Sequence, residues 1–230
     1  MYKTAVILEA RTQSTRLKNK IFKKLGKYHV LEFLINRLKK GLNHDIIVAT
    51  SFNKNDIKIQ KFCEKKKIKF FRGKEEDLIH RVINCAEFFD VDIIISLTSD
   101  NPLVDPVMIN KMLSIFIKRK LDYFDNLETG FLPRGTAIRI IKRKILKKFS
   151  NRVKNTSNYN YRQHTTYFFI KNKNGKFFRT QKFNICKNYS LPNHSFTIDY
   201  LEDFKKIKKL LKKFDYNFNT KLLKIINFLK

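Results

Sequence analysis

Asp92-Ile93-Ile94-Ile95-Ser96-Leu97-Thr98-Ser99-Asp100 places three consecutive isoleucines between polar neighbours, so both faces of the segment are apolar over its first half. A strand of this kind suits the centre of a parallel sheet covered by helices on both sides. Toward the amino terminus, short β-branched runs alternate with helical patterns. Thr4–Glu9, Asp45–Thr50 and Ile68–Phe71 are predicted strands, with Asp92–Thr98 the fourth. Leu31, Leu34, Ile35 and Leu38 recur at i, i+3, i+4 and i+7, which predicts a helix over residues 29–40. A looser pattern of Ile57, Ile59, Phe62 and Cys63 follows Asn55-Asp56, a pair suited to cap a helix start, and Glu75–Phe89 forms a third helix. Pro106 fits the first turn of a fourth, running to Lys118. This alternation predicts βαβ units and an α/β fold with a mostly parallel sheet.

From Asp122 the rhythm loosens. Thr136–Ile141 is a predicted strand, Lys142–Phe149 a helix and Asn151–Asn160 a polar surface connection. Phe177–Phe183 and Ser195–Asp199 are further strand candidates, and residues 200–213 and Asn219–Leu229 close the chain as helices. The expected organisation is one domain over residues 1–230 carrying an inserted α+β section at 125–190.

With 230 residues, 43% of them hydrophobic, the chain can build a core without disulfide staples. Three cysteines, Cys63, Cys85 and Cys186, form no C-x-x-C pair, which fits reduced thiols in the cytoplasm. Ala5–Leu8 is too short for a signal-peptide core, and no stretch nears the roughly 18 apolar residues of a membrane span. A soluble cytoplasmic protein without membrane insertion is expected. The formal charge of 50 − 20 = +30 would by itself suggest a polyanionic partner. Only 12 of those 50 basic residues are arginine, however, and the chain is crowded with Ile, Asn and Phe, the signature of A+T-rich codons. Basicity therefore implies no specific nucleic acid. The lack of tryptophan and of RNA-module patterns also weighs against a basic RNA-binding protein, the main alternative from outside the enzymes.

Ligands of open α/β sheets gather at the carboxyl ends of the strands. After the first strand, Glu9-Ala10-Arg11-Thr12-Gln13-Ser14-Thr15-Arg16-Leu17-Lys18-Asn19-Lys20 concentrates two arginines, lysines and small polar side chains in one turn. Planar forks, point charges and backbone amides are what a triphosphate requires. The plainer alternative is a basic surface loop. The fourth strand ends at Asp100, followed by Asn101-Pro102, and Asp199 ends the later Phe196-Thr197-Ile198-Asp199. Either aspartate alone would serve as a helix cap, but Mg²⁺ typically takes one or two carboxylates along with phosphate oxygens. Asp90-Val91-Asp92 has the D-x-D spacing of nucleotide-sugar glycosyltransferases but precedes the central strand, at the wrong end of the sheet.

These residues resemble the cytidylyltransferases grouped with the spore coat polysaccharide biosynthesis protein F, relatives of the CMP-Kdo synthetases. The family opens with Q-A-R-x-x-S-x-R-L-P-x-K; this chain has Ala10-Arg11, Ser14, Arg16-Leu17 and Lys20, with Glu9 for the glutamine and Lys18 for the proline. Further collinear matches are Val48-Ala49-Thr50-Ser51, Phe71-Arg72-Gly73 with Glu76-Asp77-Leu78 and Arg81, Thr98–Leu103, Pro133-Arg134-Gly135, Arg162-Gln163-His164-Thr165, and Thr197-Ile198-Asp199 with Glu202-Asp203. The resemblance implies a Rossmann-like sheet of the nucleotide-diphospho-sugar transferase type. It implies transfer of CMP from CTP to a sugar or small phosphorylated acceptor for surface polysaccharide, with release of pyrophosphate. Carried over by position, Ala10, Arg11, Ser14, Arg16 and Lys20 would bind the nucleotide, with Arg11, Arg16 and Lys20 on its phosphates, and Arg72, Gly73 and Asp77 would lie near the pyrimidine. Asp100 and Asp199 would hold Mg²⁺, with Arg16, Lys20 and Asp100 as the catalytic set. Arg134 and His164 would meet the acceptor, and residues 125–190 would make a homodimer contact. A nucleotide-binding relative without turnover is the remaining alternative, to which Glu9, Lys18 and Arg134 are relevant.

Overall fold

The computed structural model describes residues 2–127, 130–153, 160–172, 178–183 and 187–230. In chain order the elements are β1 (Thr4–Glu9), a small hairpin of β2 (Lys24–Leu25) and β3 (Tyr28–His29), α1 (Val30–Gly41), β4 (Asp45–Ser51), α2 (Ile57–Lys65), β5 (Lys69–Gly73), α3 (Leu78–Phe88), β6 (Ile93–Thr98) and α4 (Pro106–Lys118). They continue with β7 (Tyr123–Asp125), β8 (Arg139–Lys142), α5 (Arg143–Arg152), α6 (Asn160–Gln163), α7 (Tyr167–Lys171), α8 (Leu201–Lys212) and α9 (Leu222–Leu229). The main sheet has the order β5-β4-β1-β6-β8-β7. Its β5, β4, β1 and β6 pairings are parallel, and only β8 runs against its neighbours. This is the mostly parallel α/β sheet expected.

The isoleucines of β6 explain its central place. Ile93 and Ile95 pack with Val6 and Leu8 into a core shared with α1 and α4, while Ile94 joins Ala5, Ile7 and Ile141 in a core shared with α3 and α5. Period-two alternation divides the strand between two helical layers, so neither face tolerates a polar residue until Ser96. A third core joins Leu25, Val30 and Phe33 to Phe204, Ile207, Leu222 and Ile226 of the carboxyl-terminal helices. Arg37 secures this junction: its buried guanidinium donates to Val104 O (2.8 Å), Phe218 O (3.0 Å) and Thr220 O (2.6 Å). Burial pushes the Arg37 pKa below its usual range, although Asp105 nearby works in the opposite direction.

Several expected elements differ. The helix expected from Glu75 begins at Leu78, because the Asp77 side chain accepts from His80 N (3.0 Å) and caps it there. Residues 178–183 form no strand, and Phe177 lies outside the described residues. Ser195–Asp199 is not a ladder strand either. It runs along a loop, exchanging Arg134 N to His194 O (3.0 Å), Phe196 N to Arg134 O (2.7 Å) and Ile198 N to Asp100 O (3.0 Å). Its partners are a turn and the end of β6, so the β-branched pattern is satisfied without a sheet. From within residues 125–190, β8 enters the main sheet beside β6. Cys63 and Cys85 are free and buried, and burial pushes both thiols up to about 12; Cys186 lies outside the described residues. Among the described residues no helix is long and apolar enough to cross a membrane.

Candidate active site

Lys20 opens a single 3-10 turn after Asn19, which adopts a left-handed conformation (φ 53°). The turn points the Lys20 ammonium inward, where only 8% of the residue stays exposed. Its Nζ donates to Asp100 Oδ2 (2.6 Å), Ile198 O (2.8 Å) and Asp199 Oδ1 (3.1 Å), engaging all three of its protons. Two carboxylates nearly one hundred residues apart in sequence thus meet on one cation at the carboxyl end of β6. Each is fixed from behind. Thr98 Oγ1 donates to Asp100 Oδ1 (2.8 Å), and the Asp203 carboxylate accepts from Asp199 N (3.1 Å) and Tyr200 N (2.8 Å) at the start of α8. Arg16 Nη2 adds a second cation on Asp199 Oδ1 (2.9 Å) and lies over the Tyr200 ring, 5.5 Å from its centroid. Arg134, largely exposed, stands 3.9 Å from Asp199 Oδ2.

The approach of the Asp199 segment depends on Gly135. Its φ is +87°, and a Cβ there would fall 2.6 Å from both Phe196 C and Thr197 N. Gly135→Ala is therefore expected to force residues 196–199 away, lowering stability by roughly 2–4 kcal/mol and weakening CTP binding. Urea unfolding and CTP titration measure the two effects.

The loop after β1 is held by a residue that sequence patterning assigned to a helix cap. Asp56 is completely buried, and its Oδ1 accepts from both Thr12 N (2.7 Å) and Thr12 Oγ1 (2.7 Å), while Ser51 Oγ donates to its Oδ2. The cap is supplied instead by Asn53, whose side chain accepts from Asn55 N (2.9 Å). Ala10 continues β1 by donating to Ala49 O (3.1 Å), Ser14 Oγ accepts from Leu17 N (3.4 Å), and Arg11 is exposed.

Arg72, Gly73 and Asp77 stand apart from the lysine cluster and shape the loops after β4 and β5. Arg72 donates to Ser51 O (3.0 Å), Asn53 O (3.1 Å) and Gln60 Oε1 (3.1 Å), which braces one loop against the other. Gly73 leaves room for Arg81, whose Cγ would lie 2.8 Å from an added Cβ. Asp77 caps α3 and pairs with Arg162 Nη1 (2.8 Å). A cleft of about 560 Å³ opens beside them, lined by Gln13, Phe52, Asn53 and Glu75 among others. His164 is exposed in the connection between α6 and α7, and its main-chain oxygen accepts from Tyr167 N (3.2 Å).

Glu9 ends β1 on the face it shares with Ala5 and Ile7, toward α3. Ser96 Oγ (2.8 Å) and Thr165 Oγ1 (3.4 Å) donate to its Oε1. Burial pushes this carboxyl above its ordinary 4.5, an effect that Arg139, Ser96, Arg81 and Thr165 only partly offset. Below pH 4.5 the group is protonated folded or unfolded, and stability falls as pH rises toward the folded value because the unfolded chain ionises first. Glu9→Gln is accordingly expected to be more stable than the native protein at pH 7, with the gain disappearing below pH 4.5 in unfolding curves.

Asp100 and Asp199 present oxygen donors only, the chemistry a hard cation takes. Among the described residues no group of three His, Cys, Asp or Glu side chains is assembled for a metal. Two carboxylates with the remaining ligands from phosphate and water nevertheless fit the habit of Mg²⁺.

The chain is 35% identical over 225 residues to an uncharacterized protein of Methanocaldococcus jannaschii, covering 97% of this chain and 88% of that one. It is 29% identical over 212 residues to the spore coat polysaccharide biosynthesis protein SpsF of Bacillus subtilis, covering 90% and 85%. The fold matches a cytidylyltransferase from Leptospira borgpetersenii with a TM-score of 0.89 at 25% identity, over 100% of this chain and 94% of that one. It also matches CMP:2-keto-3-deoxy-manno-octonic acid synthetase complexed with CTP (TM-score 0.66, 15% identity, 92% and 99% covered), a likeness of fold. With residues 5–225 matching the cytidylyltransferase family and a sheet of the nucleotide-diphospho-sugar transferase type beneath the lysine–aspartate cluster, the chain belongs to the cytidylyltransferases and is a CTP-dependent nucleotidyltransferase.

Proposed function

We propose that the enzyme transfers CMP from CTP to an oxygen of a sugar or small phosphorylated acceptor, releasing pyrophosphate, in the synthesis of a surface polysaccharide. The convergence of Asp100 and Asp199 on Lys20 Nζ, 2.6 and 3.1 Å away, carries this reading. The name of the Bacillus subtilis relative supports the polysaccharide context. The acceptor oxygen attacks the α-phosphorus in line, forming one P–O bond as the bond to the β-phosphate oxygen breaks with its electron pair. Such chemistry asks the protein to position two anionic reactants and to neutralise charge that spreads onto the leaving pyrophosphate. Lys20 and Arg16 are the cations for that task, and the β1 loop anchored by Asp56 would present its backbone amides to the phosphates. Asp100 and Asp199 would hold Mg²⁺, which when bound supplies further neutralisation of the phosphate oxygens. A phosphate or carboxylate acceptor needs no base, whereas a hydroxyl acceptor must give up its proton as the new bond forms.

The cleft lined by Gln13, Phe52, Asn53 and Glu75 is the proposed pyrimidine site, with Arg72, Gly73 and Asp77 shaping the loops next to it. Arg134 and His164 are proposed acceptor contacts, and residues 125–190 a section serving acceptor binding and a homodimer within a single cytoplasmic domain. Incubation with CTP, Mg²⁺ and a panel of sugars and sugar phosphates should release pyrophosphate, and EDTA should abolish it. No turnover with any acceptor, together with no rise in melting temperature from CTP and Mg²⁺, would reject the proposal.

A further inference from the structure

Each carboxylate of the lysine cluster divides its two oxygens between different neighbours. Asp100 Oδ1 accepts from Thr98 Oγ1 (2.8 Å), and Asp199 Oδ2 faces Arg134 Nη2 at 3.9 Å. The other two oxygens, Asp100 Oδ2 and Asp199 Oδ1, are the pair that meets on Lys20 Nζ at 2.6 and 3.1 Å. From this pair a single ion could be held by both residues, and an ammonium already sits on it. Ile198 O (2.8 Å) completes a set of three oxygen acceptors around Nζ. A divalent cation sharing these two carboxylate oxygens with the lysine would be repelled at close range, in surroundings too poor in water to screen the repulsion.

The balance of charge points the same way. Asp199 Oδ1 also accepts from Arg16 Nη2 (2.9 Å), so Lys20, Arg16 and Arg134 all stand around one aspartate. The next acid, Asp203, is turned onto the main-chain amides of Asp199 and Tyr200. Two carboxylates facing three basic groups have no negative excess with which to strip water from Mg²⁺, an ion that dehydrates reluctantly. A triphosphate reverses this balance, because its anionic oxygens compete with the carboxylates for the same cations. The backbone at Lys20 is anchored, with Asn19 N on Thr12 O (3.2 Å) and Lys23 N on Lys20 O (3.2 Å). Its four-carbon stem nevertheless lets the ammonium swing to a new partner without moving the turn. Arg16, half-exposed and resting over the Tyr200 ring, is free to follow.

We infer that Lys20, seconded by Arg16, is a resident counter-ion that keeps the Asp100–Asp199 pair closed to a divalent metal in the free enzyme and releases the pair when the nucleotide's phosphates draw the two side chains away. This role rests on the transferase reading above, in which the two aspartates hold Mg²⁺ and Lys20 meets the phosphates, and it adds an order of events. The metal alone binds poorly, and metal and nucleotide each favour the binding of the other. Lys20 has two partners in succession, carboxylates in the free enzyme and phosphates in the complex.

Titration of the full chain with Mn²⁺ in the absence of nucleotide, with free Mn²⁺ read by electron paramagnetic resonance, tests this. Lys20→Met is expected to bind Mn²⁺ about tenfold or more tightly than the native protein, and Arg16→Gln about threefold, since each variant leaves the carboxylates with less counter-charge. The gain should vanish in the double variant Lys20→Met/Asp199→Asn, which assigns it to the aspartate pair. Mn²⁺ alone should also raise the melting temperature of Lys20→Met more than that of the native protein. Lys20→Gln, which keeps a hydrogen-bond donor without the charge, carries the same expectation should the methionine variant not fold. Neutral variants that bind Mn²⁺ no better than the native protein overturn the inference. A separate arm adds CTP to the native protein and follows water-proton relaxation by bound Mn²⁺. Absence of a protein–Mn²⁺–CTP complex there counts against the transferase reading and the inference together, whereas a complex that forms with no gain in the nucleotide-free variants counts against the inference alone.

Discussion

Lys20→Met is expected to lower kcat/KM for CTP by about 10²–10³-fold, the loss typical when one preorganised charge-stabilising donor is removed from a water-poor site. The lysine side chain is 10% exposed and lies between Asp100 and Asp199, at 21% and 12%. Methionine preserves length and packing but removes the counter-charge, leaving two carboxylates to repel one another. Removing one partner of a buried pair costs about 3–5 kcal/mol. Here Arg16 and the Thr98 hydroxyl remain and solvent is close, so a loss of roughly 2 kcal/mol is expected. Lys20→Arg should not restore activity, since a planar fork cannot satisfy three acceptors arranged around a point charge. Pyrophosphate release and urea unfolding measure the two effects. A kcat/KM within threefold of native would mean that the phosphates lie elsewhere.

Asp56→Ala is expected to be the most destabilising of the single substitutions considered. It leaves the Thr12 amide, the Thr12 hydroxyl and the Ser51 hydroxyl without the acceptor they share. Each unsatisfied buried donor costs about 1–3 kcal/mol, and with partial relaxation the sum should be roughly 3–5 kcal/mol. Freed from β4, the β1 loop proposed to hold the phosphates should also bind CTP about tenfold more weakly at temperatures where the variant remains folded. Asp56→Asn separates the two consequences. It retains one acceptor oxygen and should recover much of the stability, but its amide cannot accept from Ser51 and Thr12 together. A variant as stable as the native protein would mean that the loop is anchored by other contacts.

The parallel sheet was legible because burial on two faces writes itself directly into composition. Ile93-Ile94-Ile95 admitted few other placements, and the spacing of Leu31, Leu34, Ile35 and Leu38 located α1 to within a residue at each end. The elements that escaped are short or satisfied by tertiary partners. Tyr123–Asp125 is too brief to show a period, and Ser195–Asp199 has the composition of a strand yet pairs with a turn. In the candidate site, Arg16, Lys20, Asp100 and Asp199 could be named from a basic turn and two strand-end carboxylates, and the fold gathers them. Asp56 could not, because an acid at a helix start looks like a cap, and its bond to Thr12 spans 44 positions.

The Arg37 junction bears on how much of the chain can be removed. Two of the three carbonyls that receive its guanidinium belong to Phe218 and Thr220, and Leu222, Ile225 and Ile226 close the core around Val30 and Phe33. A protein cut after residue 216 would lose those acceptors and that apolar lid together, stranding a cation in the interior. The final helix is thus a keystone rather than an appendage, and affinity tags or fusions are better joined beyond it than substituted for it.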